Sequence, residues 1–348
     1  LWFNGQWTIT VTDLGLVKDI MTKTDLYPKA LLEESFPTSL ITKYYGTNVV
    51  LSNGDVWKRH RRIANPSFRN LPVHVFVEST TKLLNVMEKI DNEPIEVKSL
   101  MHRLALDVLG KAAFGFDFNN LEDPNNVYVT TYNEVMAELS KPLYFVFSFL
   151  DYLPRFEALR KIEKLNSLYD EIVESKHKAM KMGEIEKKIN NKSADLLEHM
   201  VYACNDPDNP TLTNEELRVA QLPQRFNSQE IKFRNHVIPA KTPIELSIYG
   251  IHHSSRNWKD PEKFIPERFE NEKHDHYSWL GFGGGNRLCL GINFSLIEQR
   301  IILCALLRKL LHRNGRLSIH KDKLQIEPEV SGTSGPHPVP LIFKRRTE

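Results

Sequence analysis

Cys289 stands in a ten-residue stretch, Phe282 to Gly291, that reads FGGGNRLCLG. A cysteine sulfur does its chemistry as the thiolate, which serves as a nucleophile or as a metal ligand. Three consecutive glycines, Gly283, Gly284 and Gly285, open backbone conformations closed to other residues and let the chain approach a flat ligand closely. Arg287 precedes the cysteine by two positions and Gly291 follows it by two. From Ile292 to Leu311 the sequence turns apolar and helix-favouring, so Cys289 lies near a helix N-terminus. There, free N–H groups and the positive end of the dipole stabilise an anionic sulfur. On residue chemistry alone the position suits an axial ligand or a nucleophile, against the plainer reading of a structural cysteine ahead of a helix. A phosphate loop fits less well. Gly283 and Gly285 begin a G-x-G, but Leu288 takes the place of the third glycine and no Gly-Lys-Ser/Thr follows.

The pattern F-x-x-G-x-R-x-C-x-G, carried by Phe282, Gly285, Arg287, Cys289 and Gly291, resembles the haem-ligand loop of the cytochrome P450 family. Every fixed position is matched. The resemblance implies haem b with Cys289 as its axial thiolate, Phe282 and Gly291 as parts of the cofactor loop, and Arg287 meeting a propionate. Trp57 and Arg61 have W-x-x-x-R spacing, which places them together on one side of a helix. In the family this helix lies against the haem edge and the two residues hold a propionate. A guanidinium suits that task because its planar fork donates two parallel hydrogen bonds. Arg225, in QLPQR, resembles the arginine on the family's sheet that does the same, the alternative being an ordinary surface arginine. His60 reads as a solvated neighbour rather than an iron ligand, and His252 and His253 read as structural.

DPEKFIPERF, Asp260 to Phe269, matches the segment that precedes the haem loop in the family. There the arginine, here Arg268, joins a buried network with the Glu and Arg of an earlier E-x-x-R helix. Glu215 to Arg218 spells E-x-x-R, but so does Glu157 to Arg160, and the string from Thr211 instead resembles the start of the family's long central helix. No small-Gly-x-Asp/Glu-Thr sequence follows it anywhere in the 348 residues. The chain therefore reads as one P450-like domain, residues 1–348, with an internal deletion near 218/219. No catalytic residue of the oxygen-binding face is found. If Arg268 keeps its buried site without a partner, the stranded charge costs about 3–5 kcal/mol.

The resemblance implies a monooxygenase that inserts one atom of dioxygen into a small lipophilic substrate, with electrons from an NADPH-dependent reductase. The alternative is a catalytically impaired haem-binding fragment. A helical scaffold without haem would require the Phe282–Gly291 match to be accidental.

At 41% hydrophobic and 26% charged the composition is globular, and a net charge of +2 makes no case for nucleic acid. Cys204, Cys289 and Cys304 are too few and too far apart for a disulfide framework and fit a reducing compartment. No signal peptide or membrane-spanning run appears, and the chain begins at Leu1 inside what reads as folded structure. It is expected to be N-terminally incomplete, from a parent at the endoplasmic reticulum membrane. Without an anchor the chain itself would be cytoplasmic. Leu143 to Leu150 is apolar enough either to face a membrane surface or to be buried.

The elements that must position these residues are mainly helical with small β-sheets, an incomplete P450-like fold. Trp2 to Val11 reads as a hairpin turning at Asn4-Gly5, followed by a helix capped at Thr12/Asp13 and running to Thr22. A short basic helix ends before Pro66. Helical periodicity covers Val73 to Ile90, Leu100 to Phe114, Phe156 to Met182 and Ser193 to Ala203, and Asp206 to Pro210 is a loop. A second hairpin is expected from Gln229 to Tyr249, turning at Pro239-Ala240-Lys241. The end after Arg316 is strand-like, with a turn around Gly332 to Pro338.

Overall fold

A capped helix and a small sheet make the frame on which the cysteine loop rests. The computed structural model describes residues 2–3, 6–35, 38–46, 48–90, 95–141, 143–144, 147–205, 225–271, 274–310, 326–328, 334–336 and 340–341. The Asn4-Gly5 turn, the Asp206–Pro210 loop, Glu215 to Arg218 and the junction near 218/219 lie outside them. The chain forms two compact units. The first is Leu1–Lys58, Leu143–Leu150 and Arg218–Leu290; the second is Arg59–Pro142, Asp151–Leu217 and Gly291–Glu348.

In the first unit, Trp2–Phe3 pairs antiparallel with Gln6–Trp7 as the hairpin requires. Ile9–Val11 does not continue that hairpin. It pairs in parallel with Pro243–Leu246, which also pairs antiparallel with Arg225–Phe226. The reason is burial, since Val11, Ile244 and Leu246 share one core while a lone two-stranded ribbon is marginal in water. The helix Leu14–Thr22 starts where Asp13 accepts the Leu16 N–H at 3.1 Å, and it buries Leu16, Val17 and Ile20 against the same sheet residues and Leu280.

The expected turn at Pro239–Lys241 does not close the second hairpin. Ile231–Phe233 pairs with His236–Ile238, and the chain reverses at Arg234, which takes a left-handed φ of 52°. Lys241 is also left-handed, and it redirects the chain into Pro243–Leu246 of the other sheet. Buried Asn227 holds this bend, accepting the Thr242 N–H at 2.8 Å and donating to the Pro239 carbonyl at 2.6 Å. Ile248–His252 is helical rather than extended, with the Ser247 hydroxyl accepting the Gly250 N–H.

The second unit is built on the helices Val73–Lys89, Val97–Leu109, Phe156–Lys181, Leu196–Cys204 and Ile292–Leu310, close to the expected spans. Phe76, Leu83, Leu104, Val108 and Ile302 share one core, and Ile172, Ile185, Leu197 and Val201 another. Val127–Leu139 is a helix that periodicity does not announce, because VYVTTY is rich in strand-favouring residues. Asn126 starts it by accepting the Val129 N–H at 3.0 Å, and burial of Val129, Val135 and Leu139 overrides the local preference. The expected turn near the C-terminus contains a strand, Ser334–Pro336, paired with Ile326–Pro328. No helix among the described residues is long and apolar enough to cross a membrane.

Candidate functional site

Local backbone geometry shapes the cysteine loop first. Gly283 and Gly285 adopt left-handed φ of 72° and 58°, which glycine alone takes without strain. A Cβ on Gly285 would collide with the Met21 carbonyl, so the loop rests on the end of the Leu14–Thr22 helix. Asn286 donates to the orphan carbonyl of Thr22 at 3.0 Å and completes that helix end. The Cys289 N–H donates to the Phe282 carbonyl at 3.0 Å, closing the loop through a single turn at Gly285–Arg287. Cys289 is a free, half-buried thiol, and Phe282, at the start of the loop, is half-buried as well. Gly291 belongs to the second unit, where its carbonyl accepts the Ser295 N–H at 2.8 Å and opens the helix Ile292–Leu310.

Arg287 points toward Asn53. Its Nη2 donates to Asn53 Oδ1 at 3.2 Å, and its guanidinium lies 4.0 Å from the centre of the Trp57 ring. Asn53 precedes the helix Gly54–Ala64, whose first turn carries Trp57. The same amide clamps a second segment: the Lys29 N–H donates to Asn53 Oδ1 at 2.9 Å, and Asn53 Nδ2 donates to the Lys29 carbonyl at 2.9 Å. Lys29 in turn forms a β-bridge with Arg225, and the Phe226 N–H donates to the Pro28 carbonyl at 3.0 Å. Loop, helix start, strand and the segment at Lys29 thus meet around one asparagine.

Three cations converge there. Arg225 is not a surface arginine, being only 4% exposed, and its Nε and Nη1 are buried with no hydrogen-bond partner among the described residues. Burial pushes it down to about 10. Lys29 is pushed down to about 7, first by burial and then by the charges of Arg225 and Arg287. Gathering like charges away from water is costly unless an anion joins them. The donors suit a group with several carboxylate oxygens, and the neighbouring thiol suits a soft metal. A metalloporphyrin bearing two propionates has both features, so the residues fit the cofactor that the cysteine pattern implies.

Lys29 and Asn53 are the members that sequence reasoning missed. Asn53 carries a weak signal, lying in Ser-Asn-Gly just ahead of a helix; Lys29 carries none. Arg61 lies in the second unit, half-buried and four residues beyond Trp57 on Gly54–Ala64. His60 is buried at 4% exposure rather than solvated, because it shares the inner face of that helix with Ala64. His252 is structural as expected. Its Nε2 accepts the Leu280 N–H at 2.9 Å, and its ring stacks on Trp279.

Arg268 also departs from expectation. It is 8% exposed, yet its charge is not stranded, since it donates to the carbonyls of Lys259 at 2.6 Å, Asp260 at 3.0 Å, Lys263 at 3.1 Å and Ile265 at 3.2 Å. The curl of the chain from Lys259 to Arg268 supplies these acceptors itself, so the penalty of an unsatisfied buried cation does not arise.

A family model described as Cytochrome P450 matches the chain in two stretches, residues 1–223 and 218–324. Protein LUTEIN DEFICIENT 5, chloroplastic, of Arabidopsis thaliana is 22% identical over 397 residues, covering 89% of this chain and 66% of that protein. The chain therefore spans just under two thirds of the plant relative. Cytochrome P450 3A11 of Mus musculus is 22% identical over 395 residues, covering 88% of this chain and 77% of its own. Among solved structures, the haem domain of cytochrome P450DA matches with a TM-score of 0.68 at 15% identity, over 99% of this chain and 87% of that one. This last likeness concerns the fold alone.

Proposed function

This chain belongs to the cytochrome P450 family of haem-thiolate monooxygenases, and from that premise we propose that it holds haem b through Cys289. In its intact form it oxidises a small lipophilic substrate with electrons from an NADPH-dependent reductase. The observation that carries the reading is Arg287, two residues from Cys289, set in one cluster with Trp57, Arg225 and Lys29. When bound, the haem supplies dioxygen activation, the thiolate pushing electron density to the iron and favouring O–O cleavage. The protein's task is to position it. Cys289 is the iron ligand, held by its N–H to Phe282. Arg225 and Arg287 are propionate donors, with Trp57 backing Arg287. Arg61 is assigned to the same task on its W-x-x-x-R spacing, and Phe282 and Gly291 bound the cofactor loop.

As written, the chain is a catalytically impaired haem-binding fragment. It reads as one domain over residues 1–348 that lacks the central helix through the E-x-x-R helix, with the join near 218/219. Several observations support this. The family model matches in two stretches that meet at residues 218–223. The match to the plant relative runs over 397 residues, more than the 348 of this chain, so the relative has residues where this chain has none. Along Ile292–Leu310, Leu303 and Leu307 are 56% and 52% exposed, as on a helix that has lost a neighbour. The intact parent is assigned to the endoplasmic reticulum membrane, and exposure of Leu143 and Phe147 supports a membrane-facing Leu143–Leu150 segment.

A CO-difference spectrum of the reduced, haem-reconstituted chain tests the reading. A thiolate-type Soret band that vanishes in Cys289→Ser is expected, and its absence from the unmutated chain would overturn haem binding through Cys289. Reading the transcript across Arg218/Val219 tests the deletion: an in-frame insert with small-Gly-x-Asp/Glu-Thr and E-x-x-R would make the gap an artefact.

A further inference from the structure

We infer that Asn53 is a positioning residue for the cofactor proposed above: its neutral amide sets Arg287 for a propionate and couples that arginine to the backbone at Lys29. The inference rests on the haem reading and on where the bonds of one side chain go. An asparagine just ahead of a helix ordinarily turns its oxygen onto an N–H of the first turn. The Asn53 carbonyl does open the helix Gly54–Ala64, accepting the Trp57 N–H at 3.2 Å. Its amide leaves that helix. Oδ1 accepts the Lys29 N–H at 2.9 Å and Arg287 Nη2 at 3.2 Å, while Nδ2 donates to the Lys29 carbonyl at 2.9 Å. The reciprocal pair with Lys29 imitates the two bonds that an adjoining strand would exchange. It backs the segment that the sheet holds from its other side, through the β-bridge of Lys29 to Arg225 and the Phe226 N–H on the Pro28 carbonyl.

The position calls for an amide. Two of its partners, the Lys29 N–H and Arg287 Nη2, are donors, and the third, the Lys29 carbonyl, is an acceptor. A reversed amide would set N–H against N–H and oxygen against oxygen, so the partners fix which way it points. A carboxylate of the same shape could accept from both donors but could not donate to the Lys29 carbonyl. It would also pair with Arg287, and a guanidinium already joined to an internal carboxylate offers less to an arriving one. The neutral amide oxygen holds Nη2 without cancelling the charge. With the Trp57 ring 4.0 Å from the guanidinium, the arginine is restrained before any cofactor arrives. Such preorganisation raises affinity because the long side chain has less freedom left to lose on binding.

The test is a Soret titration of the full apo-chain with ferric haem and with haem dimethyl ester, whose propionates carry no charge. The chains compared are the unmutated one, Asn53→Ala, Asn53→Asp, Arg287→Ala and the double variant Asn53→Ala with Arg287→Ala. Asn53→Ala is expected to bind haem about fivefold more weakly, the weight of a lost hydrogen bond. That loss should largely vanish in the Arg287→Ala background, because Asn53 acts through Arg287. Asn53→Asp is expected to bind haem weaker still, by about a further tenfold, yet to take the ester nearly as well as the unmutated chain. An internal carboxylate competes only with a charged propionate. Hydrogen exchange gives a readout without cofactor: the Lys29 amide should exchange faster in Asn53→Ala and stay protected in Asn53→Asp, which keeps its acceptor. A haem-to-ester affinity ratio unmoved by either substitution, or losses that add fully to that of Arg287→Ala, beside a normal thiolate-type band, would overturn the role of Asn53 and leave the haem reading standing. An unmutated chain that takes up neither haem nor ester would overturn both. Asn53→Asp is nearly isosteric and keeps two of the three bonds, so its contrast between haem and ester decides the matter where Asn53→Ala does not fold.

Discussion

Gly285 and Gly283 share a left-handed backbone, yet their surroundings differ in a way that separates two costs. At Gly285 a side chain would meet the Met21 carbonyl; at Gly283 the nearest atom is the Arg287 carbonyl, 3.8 Å away. Gly283→Ala should therefore lose only the backbone preference, about 1–2 kcal/mol. Gly285→Ala should lose that and displace the loop from the Leu14–Thr22 helix, for a total of about 3 kcal/mol or more. Denaturant midpoints of the two variants measure the difference, and haem uptake should fall further in Gly285→Ala because Arg287 and Cys289 move with the loop. Arg268 teaches the complementary lesson. A buried cation with four carbonyl acceptors is satisfied without an acidic partner, so loss of an E-x-x-R helix does not by itself make this residue a liability.

The helix Ile292–Leu310 is the element on which the proposed loss of a neighbour bears. One face displays Leu303 and Leu307, while Glu298 is withdrawn from water and its Oε1 has no hydrogen-bond partner among the described residues. Burial pushes this carboxyl up from 4.5 to about 7. Between those values the folded chain holds a proton that the unfolded chain has released. Stability therefore falls as pH climbs through that window, and the loss is complete above it. Glu298→Gln should abolish the slope and stabilise the chain above pH 7 by on the order of 2 kcal/mol, the figure being reduced by partial solvent access. Urea midpoints at pH 5.5 and pH 8 check it: equal gains at both would sink the explanation. Elsewhere the elements follow local rules, as at Leu196–Cys204, where Asp195 and Glu198 form a reciprocal capping box.

At the scale of the whole molecule, the proposed haem-binding chain without the oxygen-side helix should still accept electrons but use them poorly. With an NADPH-dependent reductase, the reconstituted chain is expected to consume NADPH mainly into hydrogen peroxide, with oxygenated product a minor fraction. Restoring an in-frame segment at 218/219 should shift that partition toward product. Product that accounts for the NADPH consumed by the chain as written would overturn the impaired reading.

What could be read from the sequence is what short-range physics controls. The glycine-loosened loop around Cys289, the cap at Asp13 and the amphipathic spans of Val73–Lys89 and Phe156–Lys181 each depend on residues within one or two turns of one another. The hairpin reading of Ile9–Val11 failed because strands choose partners by shared burial, and the partner lies more than two hundred residues away. Val127–Leu139 was hidden for the same reason, since tertiary burial outweighed β-branched propensity. The cation cluster lay furthest out of reach. Lys29, Asn53, Arg225 and Arg287 come from separate segments with no common spacing. The sequence alone determined the candidate ligand cysteine and the family it signals. Only the tertiary structure decided which charges stand beside it, because electrostatic energy depends on distance in space and on lost water, neither of which chain order records.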